Sequence, residues 1–310
     1  MYAIISLSAI GILLLLGGIF LMRLGLQKLL LRKLKGLLKE LTKTPWRGVL
    51  LGTFAAAIMQ SSTAVSLLTI GLVSADYLSF YEALGIILGA NIGTCSTVQL
   101  MTLSIPNYLF LPLLAITIGI TLTIKRFRWI GMAISGLLSM FLGITLLSDA
   151  LSNLSDSINL ADYLITGKEN PLYAILAGMI ITLLFQSSSA ATGVLMIFAS
   201  DGLVDLTTAS YVVYGNNIGS CLSSIIIGAA STLAAKRIAI SHVLLNIIGV
   251  VFFFPLTGLL TTTATYLTAD FAGQVAIVHT LFNILSSLAV LPILRQYSNL
   301  IIFLIPDKRG

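Results

Sequence analysis

The sequence Gln60-Ser61-Ser62-Thr63 lies inside an apolar segment and returns 126 residues later as Gln186-Ser187-Ser188-Ser189. An asparagine begins the sequence Asn-Ile-Gly 31 residues after each glutamine, at Asn91 and again at Asn217. Residues 52–95 therefore align without gaps on residues 178–221, and 12 of these 44 positions are identical. Hydroxyl and amide groups inside apolar segments cost free energy unless something binds them. The duplication predicts two related halves with a shared polar site, as in a transporter.

The composition excludes a soluble domain. Of the 310 residues, 57% are hydrophobic and only 9% are charged, whereas soluble domains carry about 25% charged residues. The mean hydropathy is +1.05. The net charge of +6 does not indicate a nucleic-acid partner, because the basic residues cluster at the ends of apolar runs. The expected class is an all-α, polytopic membrane protein.

The position of the polar blocks predicts two re-entrant helical hairpins. The apolar stretch from Gly48 to Ser74 carries its Gln-Ser-Ser-Thr block near the centre, which favours two half-helices that meet at a polar tip. The stretch from Pro171 to Ser200 has the same pattern. Segments 80–103 and 206–231 are each predicted to be a transmembrane helix broken at Asn-Ile-Gly, because glycine weakens a helix.

This pattern divides the chain into five parts. They are residues 1–47, a first transmembrane helix and a basic interfacial helix; 48–149, repeat 1 with a hairpin, a broken helix and two spans; 150–170, an external loop; 171–294, repeat 2 of the same composition; and 295–310, a cytoplasmic tail. Three spans between the re-entrant hairpins make the two repeats inverted, and nearly every basic residue then lies in the cytoplasm. We expect a multi-pass protein of the plasma membrane (the cell inner membrane), with its N-terminus outside and its C-terminus cytoplasmic.

The polar blocks supply the candidate site near the membrane midplane. Hydroxyls donate to an oxyanion or accept a cation, and amides do both. The candidate substrate- and ion-binding residues are Gln60, Ser61, Ser62, Thr63, Asn91, Thr94, Gln186, Ser187, Ser188, Ser189, Asn217 and Ser220. Sodium is expected at these same residues.

Charged side chains are absent from the segments that carry these residues. No Lys, Arg, Asp or Glu occurs in segments 48–75, 83–124, 172–200 and 206–235. An anionic substrate in a low-dielectric site is therefore expected to need bound cations as its countercharge.

A second set of polar residues has either a binding or a packing role. Ser66 and Thr192 each follow a motif glutamine by six residues, and a hydroxyl there either extends an ion site or bonds to its own helix. Residues 239–246 and 276–283 both contain His and Asn at positions i and i+4, on one helical face. Asn246, His279 and Asn283 are the candidates from these segments. Cys95 and Cys221 are expected to be buried apolar residues, or to approach each other across the pseudo-twofold axis.

The paired motifs resemble the sodium-dependent phosphate cotransporter family, the type II group and its bacterial relatives, over about residues 45–290. The resemblance implies sodium-driven symport of inorganic phosphate by alternating access, with sodium as the coupling ion and no other cofactor. Its motifs select Gln60, Ser61, Ser62, Asn91, Thr94, Gln186, Ser187, Ser188, Ser189 and Asn217. Thr63 and Ser220 depart from the family pattern but keep a hydroxyl. Val243 and Thr280 stand where electrogenic animal members have an aspartate in one such segment.

The expected partners are inorganic phosphate, sodium and the lipid bilayer, with no nucleic acid; the sequence leaves a homodimer open. Three alternatives remain at this point. The substrate is another small oxyanion or a neutral solute, or the chain is a non-transporting sensor or scaffold, or it is an intramembrane enzyme with a serine nucleophile. The enzyme is disfavoured because the motifs lack a Gly-x-Ser-x-Gly context and His279 is the only tempting base.

Overall fold

The computed structural model describes residues 2–41, 44–103, 105–155, 170–229 and 232–306. All regular secondary structure in these residues is helical. The α-helices are α1 Tyr2–Leu41, α2 Pro45–Met59, α3 Ser62–Ser74, α4 Phe80–Gly93, α5 Cys95–Met101, α6 Phe110–Thr123, α7 Arg128–Ser155, α8 Pro171–Phe185, α9 Ser188–Ser200, α10 Leu206–Ala229, α11 Leu233–Phe253, α12 Thr257–Leu267, α13 Phe271–Val290 and α14 Leu294–Leu304. Short 3-10 helices cover Asn107–Leu109, Lys125–Phe127 and Leu291–Ile293.

Five helical segments in the described part of the chain are long and apolar enough to cross a membrane. They are Ile4–Leu31, Phe80–Met101, Lys125–Ser152, Leu233–Phe253 and Phe271–Leu304. Shorter apolar helices lie between them. The predicted class, an all-α polytopic membrane protein, is confirmed.

Both polar blocks form the turn between two helices, as the sequence predicts. In each copy a 15-residue helix ends at a glutamine and a 13-residue helix begins two residues later. Gln60 and Gln186 have φ of 52° and 53°, in the left-handed region that ends a helix. Ser61 and Ser187 then cap the next helix. A 15-residue helix is about 22 Å long, shorter than the roughly 30 Å of bilayer hydrocarbon, so neither first arm can cross alone.

The predicted helix breaks at Asn-Ile-Gly are only half correct. In the first copy α4 ends at Gly93 and α5 begins at Cys95, so the interruption is the single residue Thr94. In the second copy the prediction is wrong, because α10 continues unbroken through residues 216–219. The glycines of this motif have a different role.

Gly89 and Gly215, each two residues before the asparagine of Asn-Ile-Gly, allow the first arm of each hairpin to touch the neighbouring helix. A Cβ atom at Gly89 would lie against the Val49 carbonyl oxygen of α2, far inside van der Waals contact. A Cβ atom at Gly215 would lie equally close to the Ile175 carbonyl oxygen of α8. Val49 and Ile175 are themselves 126 residues apart. Each hairpin is therefore held to its motif helix by the same backbone contact.

Glycines also join α1 to α7. A Cβ atom at Gly18 would lie 2.6 Å from the Gly136 carbonyl oxygen, and one at Gly11 would lie 3.1 Å from the Gly143 carbonyl oxygen. The residue numbers rise along one helix and fall along the other, so α1 and α7 are antiparallel. The sequence predicts a span followed by a separate basic helix in residues 1–47, whereas the structure has one continuous helix through residue 41. The Leu- and Lys-rich segment after the span favours the helix and contains no proline.

The C-terminal part differs from the prediction in two places. The first of the two spans predicted at the end of repeat 2 is divided: α11 ends at Phe253 because Pro255 follows, and α12 is a separate helix. Most of the predicted tail forms α14, whose Tyr297 donates a hydrogen bond to the Ser241 carbonyl oxygen. Residues 150–155 of the predicted external loop belong to α7. Residues 156–169 and 307–310 lie outside the described residues.

Candidate substrate and ion site

The tips of the two hairpins meet at one cavity. The empty space between the lining residues is about 380 Å³ when the adjoining open solvent is included. The lining residues are Arg23, Ser61, Ser62, Thr63, Thr94, Thr182, Gln186, Ser187, Ser188 and Ser220. Eight of these ten are residues that the sequence motifs single out. The two copies of the polar block, far apart in sequence, thus share one cavity.

The tip serines Ser61 and Ser187 line this cavity and use their hydroxyl oxygens as acceptors within the protein. Ser61 Oγ accepts the Ala64 backbone N–H at 3.2 Å, and Ser187 Oγ accepts the Ala190 backbone N–H at 3.3 Å. A hydroxyl has two acceptor positions and one proton. Because Ser187 Oγ also accepts from the Arg23 side chain, both of its acceptor positions are occupied and its proton is available to a ligand.

The N-termini of α3 and α9 add partial positive charge at the same place. Ser62 and Thr63 open α3, Ser188 opens α9, and all three line the cavity. The first backbone N–H groups of a helix have no intrahelical acceptor, so two helix N-termini at one cavity favour an anion.

Arg23 brings a full positive charge to the cavity from outside both motif copies. Its Nη2 atom in α1 donates to Ser187 Oγ at 3.1 Å. Its Nε atom is buried and has no acceptor among the described residues. The cavity lining thus includes one charged side chain among the described residues, although the segments that carry the motifs contain none. Arg23 lies inside the apolar span Ile4–Leu31, with apolar residues on both sides of it.

Three other lining hydroxyls present acceptor positions instead. Thr94 Oγ1 donates to the Ala90 carbonyl oxygen at 2.8 Å, and Ser220 Oγ donates to the Asn217 carbonyl oxygen at 2.7 Å. Thr94 and Ser220 are equivalent positions of the two copies. Since their protons are engaged within the protein, their oxygen lone pairs remain for a cation, and the same holds for Thr182.

Thr182 belongs to a buried network that ties hairpin 2 to α10. Thr192 Oγ1 gives its proton to the Ser188 carbonyl oxygen and accepts from Asn216 Nδ2 at 3.1 Å. Asn216 Oδ1 in turn accepts from Thr182 Oγ1 at 3.1 Å. Repeat 1 has alanine or serine at the equivalent positions 56, 90 and 66, so a search for polar residues shared by both copies does not find this network.

Replacing Asn216 with alanine should destabilise the protein, because it leaves two buried threonine hydroxyls without their amide partner. We expect a loss of about 1–3 kcal/mol, measured as a lower melting temperature of the purified protein in detergent. Asn107→Ala, at an exposed position, is the control and should melt like the wild type. Equal melting temperatures for the two variants would contradict a stabilising network.

The motif amides lie beside the cavity rather than at its surface, with one exception. Gln186 is exposed and lines the cavity, whereas Gln60 is only 3% exposed and donates to Ser96 Oγ at 3.0 Å. Asn91 donates to Ser287 Oγ at 3.3 Å, and Asn217 donates to the Val213 carbonyl oxygen at 2.9 Å. The two glutamines thus occupy different environments in the two copies.

The remaining predicted residues are buried and do not line this cavity. Ser66 Oγ, Ser189 Oγ and His279 Nδ1 have no hydrogen-bond partner among the described residues. Asn246 donates to Cys221 Sγ at 3.1 Å, and Asn283 donates to the His279 carbonyl oxygen at 2.7 Å. These contacts fit the packing interpretation of the His-Asn segments.

The two cysteines are free and buried, as expected of small apolar residues. Cys95 Sγ contacts the His279 carbonyl oxygen, and Cys221 Sγ contacts that of His242. Each cysteine therefore lies against a different helix, α13 or α11.

Comparison with known families agrees with this duplication. The model of the Na+/Pi-cotransporter family matches residues 14–149 and again residues 140–277. The chain belongs to the Na+/Pi-cotransporter family. The two matches start 126 residues apart, the same spacing as the motifs, and they place α1 and α7 at the start of the two halves. The predicted repeats begin later, at residues 48 and 171.

Several known proteins have sequences similar to this member of the Na+/Pi-cotransporter family. It is 31% identical over 99% of its length to the whole of an uncharacterized protein of Bacillus subtilis, YqeW. It is 26% identical over 92% of its length to the putative inorganic phosphate export protein YjbB of Escherichia coli K12, of which it spans 52%. A 58-residue segment is 34% identical to the sodium-dependent phosphate transport protein 2A of Oryctolagus cuniculus, 19% of this chain and 9% of that protein. No solved structure matches the chain.

Members of the Na+/Pi-cotransporter family are transporters, which disfavours the serine-enzyme alternative. The lining residues, in the part of the chain that the structure describes, include no carboxylate and no imidazole. The tip serines therefore have no general base beside them at this cavity.

Proposed function

We propose that the chain is a secondary active symporter that carries inorganic phosphate together with sodium through the cavity between the hairpin tips. The observation that carries the proposal is the meeting of both Gln-Ser-Ser blocks at one cavity with donors and acceptors on different residues. Membership of the family supports phosphate and sodium as the pair. YjbB and the sodium-dependent phosphate transport protein 2A are both named for phosphate.

The hydrogen bonds of the lining residues indicate which of them would bind phosphate and which would bind sodium. Ser61, Ser187 and the N-termini of α3 and α9 donate to the phosphate oxygens, because both hydroxyl oxygens accept from the protein and the first N–H groups of a helix have no intrahelical acceptor. Thr94, Thr182 and Ser220 offer oxygen lone pairs, which suit sodium. A cation held beside the anion lowers the electrostatic cost of both in a low-dielectric site.

We propose alternating access between two inverted halves. The first helices of the two family matches, α1 and α7, are antiparallel, which supports an inverted relationship. Gln60 is buried while Gln186 is exposed, so the environments of the two tip glutamines differ, which is compatible with rocking of one half against the other. The positive-inside rule favours an outside N-terminus and a cytoplasmic C-terminus in the plasma membrane.

Radiolabelled phosphate flux in proteoliposomes tests this function. Phosphate should accumulate when sodium is higher outside, and it should leave preloaded vesicles when the sodium gradient is reversed. A potassium gradient is the control and should give no accumulation. Phosphate flux that is the same with sodium and with potassium would show that phosphate transport is not coupled to sodium. Sulfate should compete poorly, and if it displaces phosphate fully, the site takes small oxyanions in general.

A further inference from the structure

We propose that Arg23 is the residue that binds the charge of the substrate, so that its guanidinium is an anion ligand of the cavity. The inference rests on the proposed function, since it assumes that an oxyanion enters this site. Neither motif copy contains Arg23, and it lies in α1, before the first hairpin.

The hydrogen bonds of the guanidinium indicate a missing acceptor. Nη2 is held by Ser187 Oγ at 3.1 Å, which fixes the direction of the side chain. Nε is buried without an acceptor among the described residues. A buried charged donor without a partner costs free energy, and a tetrahedral oxyanion presents oxygens at the spacing of adjacent guanidinium N–H groups. Arg23 lines the cavity, so an oxyanion bound there would lie beside its guanidinium.

Arg23 has no counterpart of like charge in the other half. The position 126 residues later is Asp149. Gly11 of α1 packs at the level of Leu147 of α7, so Asp149 lies towards the opposite end of this antiparallel pair from Arg23. The site therefore receives one fixed positive charge, from one side, onto the tip of hairpin 2.

The position of Arg23 links the two halves of the protein. Because Arg23 donates a hydrogen bond to Ser187, an oxyanion that binds both residues would join α1 to the tip of hairpin 2. Substrate and fixed charge then hold the two halves together at a single point. Part of the countercharge of the anion comes from the protein, and sodium supplies the rest.

Three variants test the inference in the full chain. Arg23→Gln removes the positive charge and the paired N–H donors of the guanidinium. Arg23→Lys keeps the charge but loses the bidentate geometry. Lys28→Gln is the matched control, because Lys28 lies on the same helix with its ammonium over the Trp129 ring, 5.9 Å from the centroid, away from the cavity. The measurement is the KM for phosphate at saturating sodium in proteoliposomes.

Arg23→Gln should raise the KM for phosphate by about 10- to 150-fold, the usual loss of a hydrogen bond to a charged group. Arg23→Lys should raise it by at least severalfold, and Lys28→Gln should leave it unchanged. A wild-type KM in either Arg23 variant, or an equal rise in Lys28→Gln, would overturn the role of Arg23. If Arg23→Gln does not fold, the result for Arg23→Lys decides.

A chemical experiment on the wild type gives a second decision. Phenylglyoxal, which modifies arginine, should inactivate phosphate flux, and inorganic phosphate should protect against it. In Arg23→Lys the phosphate-protected part of the inactivation should disappear, because the reactive guanidinium is absent, and phosphate-protected inactivation that persists there would contradict the inference. If the wild type carries no phosphate, the proposed function fails; if it carries phosphate and Arg23 is indifferent, this inference alone fails.

Discussion

Gly215→Ala should abolish phosphate flux. The added Cβ would lie against the Ile175 carbonyl oxygen, far inside van der Waals contact, and backbone on both sides leaves no side chain to move aside. Helices α8 and α10 must separate, at a cost of about 1–3 kcal/mol or more. The tip of hairpin 2 moves with α8, and a displacement of about 1 Å can reduce the rate about 100-fold. Flux in proteoliposomes and the melting temperature of the purified protein measure the two effects.

Gly71→Ala is the matched control for this experiment. Gly71 lies in α3, within hairpin 1, and nothing lies within 4 Å of a Cβ atom added there. Alanine should be neutral or stabilise this helix by up to about 1 kcal/mol. If Gly215→Ala behaves like Gly71→Ala in flux and in melting, the close backbone contact does not hold hairpin 2.

The double variant Ser61→Ala, Ser187→Ala should raise the KM for phosphate by about 100-fold, and each single variant by about tenfold. Each change removes one hydroxyl donor from the cavity, and such hydrogen bonds contribute about 1.5 kcal/mol when the acceptor is charged. Ser187→Ala also removes the acceptor that holds the Arg23 side chain. Phosphate uptake as a function of phosphate concentration is the measurement.

Both serines are also helix caps, so a control must separate capping from binding. Ser79 caps α4 in the same way, by accepting the Glu82 backbone N–H, and it does not line the cavity. Ser79→Ala should lower stability by about 1 kcal/mol with the KM unchanged. A KM that rises equally in Ser79→Ala would mean that the tip serines act through helix stability.

The hairpins and their shared cavity could be predicted from the sequence. A glutamine and two serines inside an apolar stretch of 27 residues are a local signal, because polar groups at mid-membrane need partners and a left-handed turn ends a helix. The repetition at a constant spacing then indicates that the two tips face each other. Structure and sequence agree here because the same residues make both the turn and the cavity.

The role of the motif glycines could not be predicted in the same way. Glycine weakens a helix, but it also permits close backbone contact, and sequence does not show which neighbour is present. At Gly215 the neighbour is the Ile175 carbonyl oxygen, and packing keeps α10 continuous. The sequence around Asn-Ile-Gly therefore predicts a helix break, whereas Gly215 makes a close backbone contact within a continuous helix.

Arg23, Thr182 and Asn216 were missed for a related reason. The repeat signal consists of residues shared by the two copies, whereas each of these three has a different residue at the equivalent position of the other copy. Their proximity to the cavity depends on how α1, α8 and α10 pack. A basic residue with apolar sequence on both sides, as at Arg23, was the one signal available.

Protection of cysteines by phosphate tests most directly whether the two tips form one anion site. Ser62→Cys and Ser188→Cys place a thiol at the first turn of α3 and of α9, both against the cavity. The native Cys95 and Cys221 are buried, so the wild type gives the background labelling by a water-soluble thiol reagent. Phosphate should protect both introduced cysteines with the same half-maximal concentration. Protection of only one tip, or two clearly different concentrations, would contradict a single shared site.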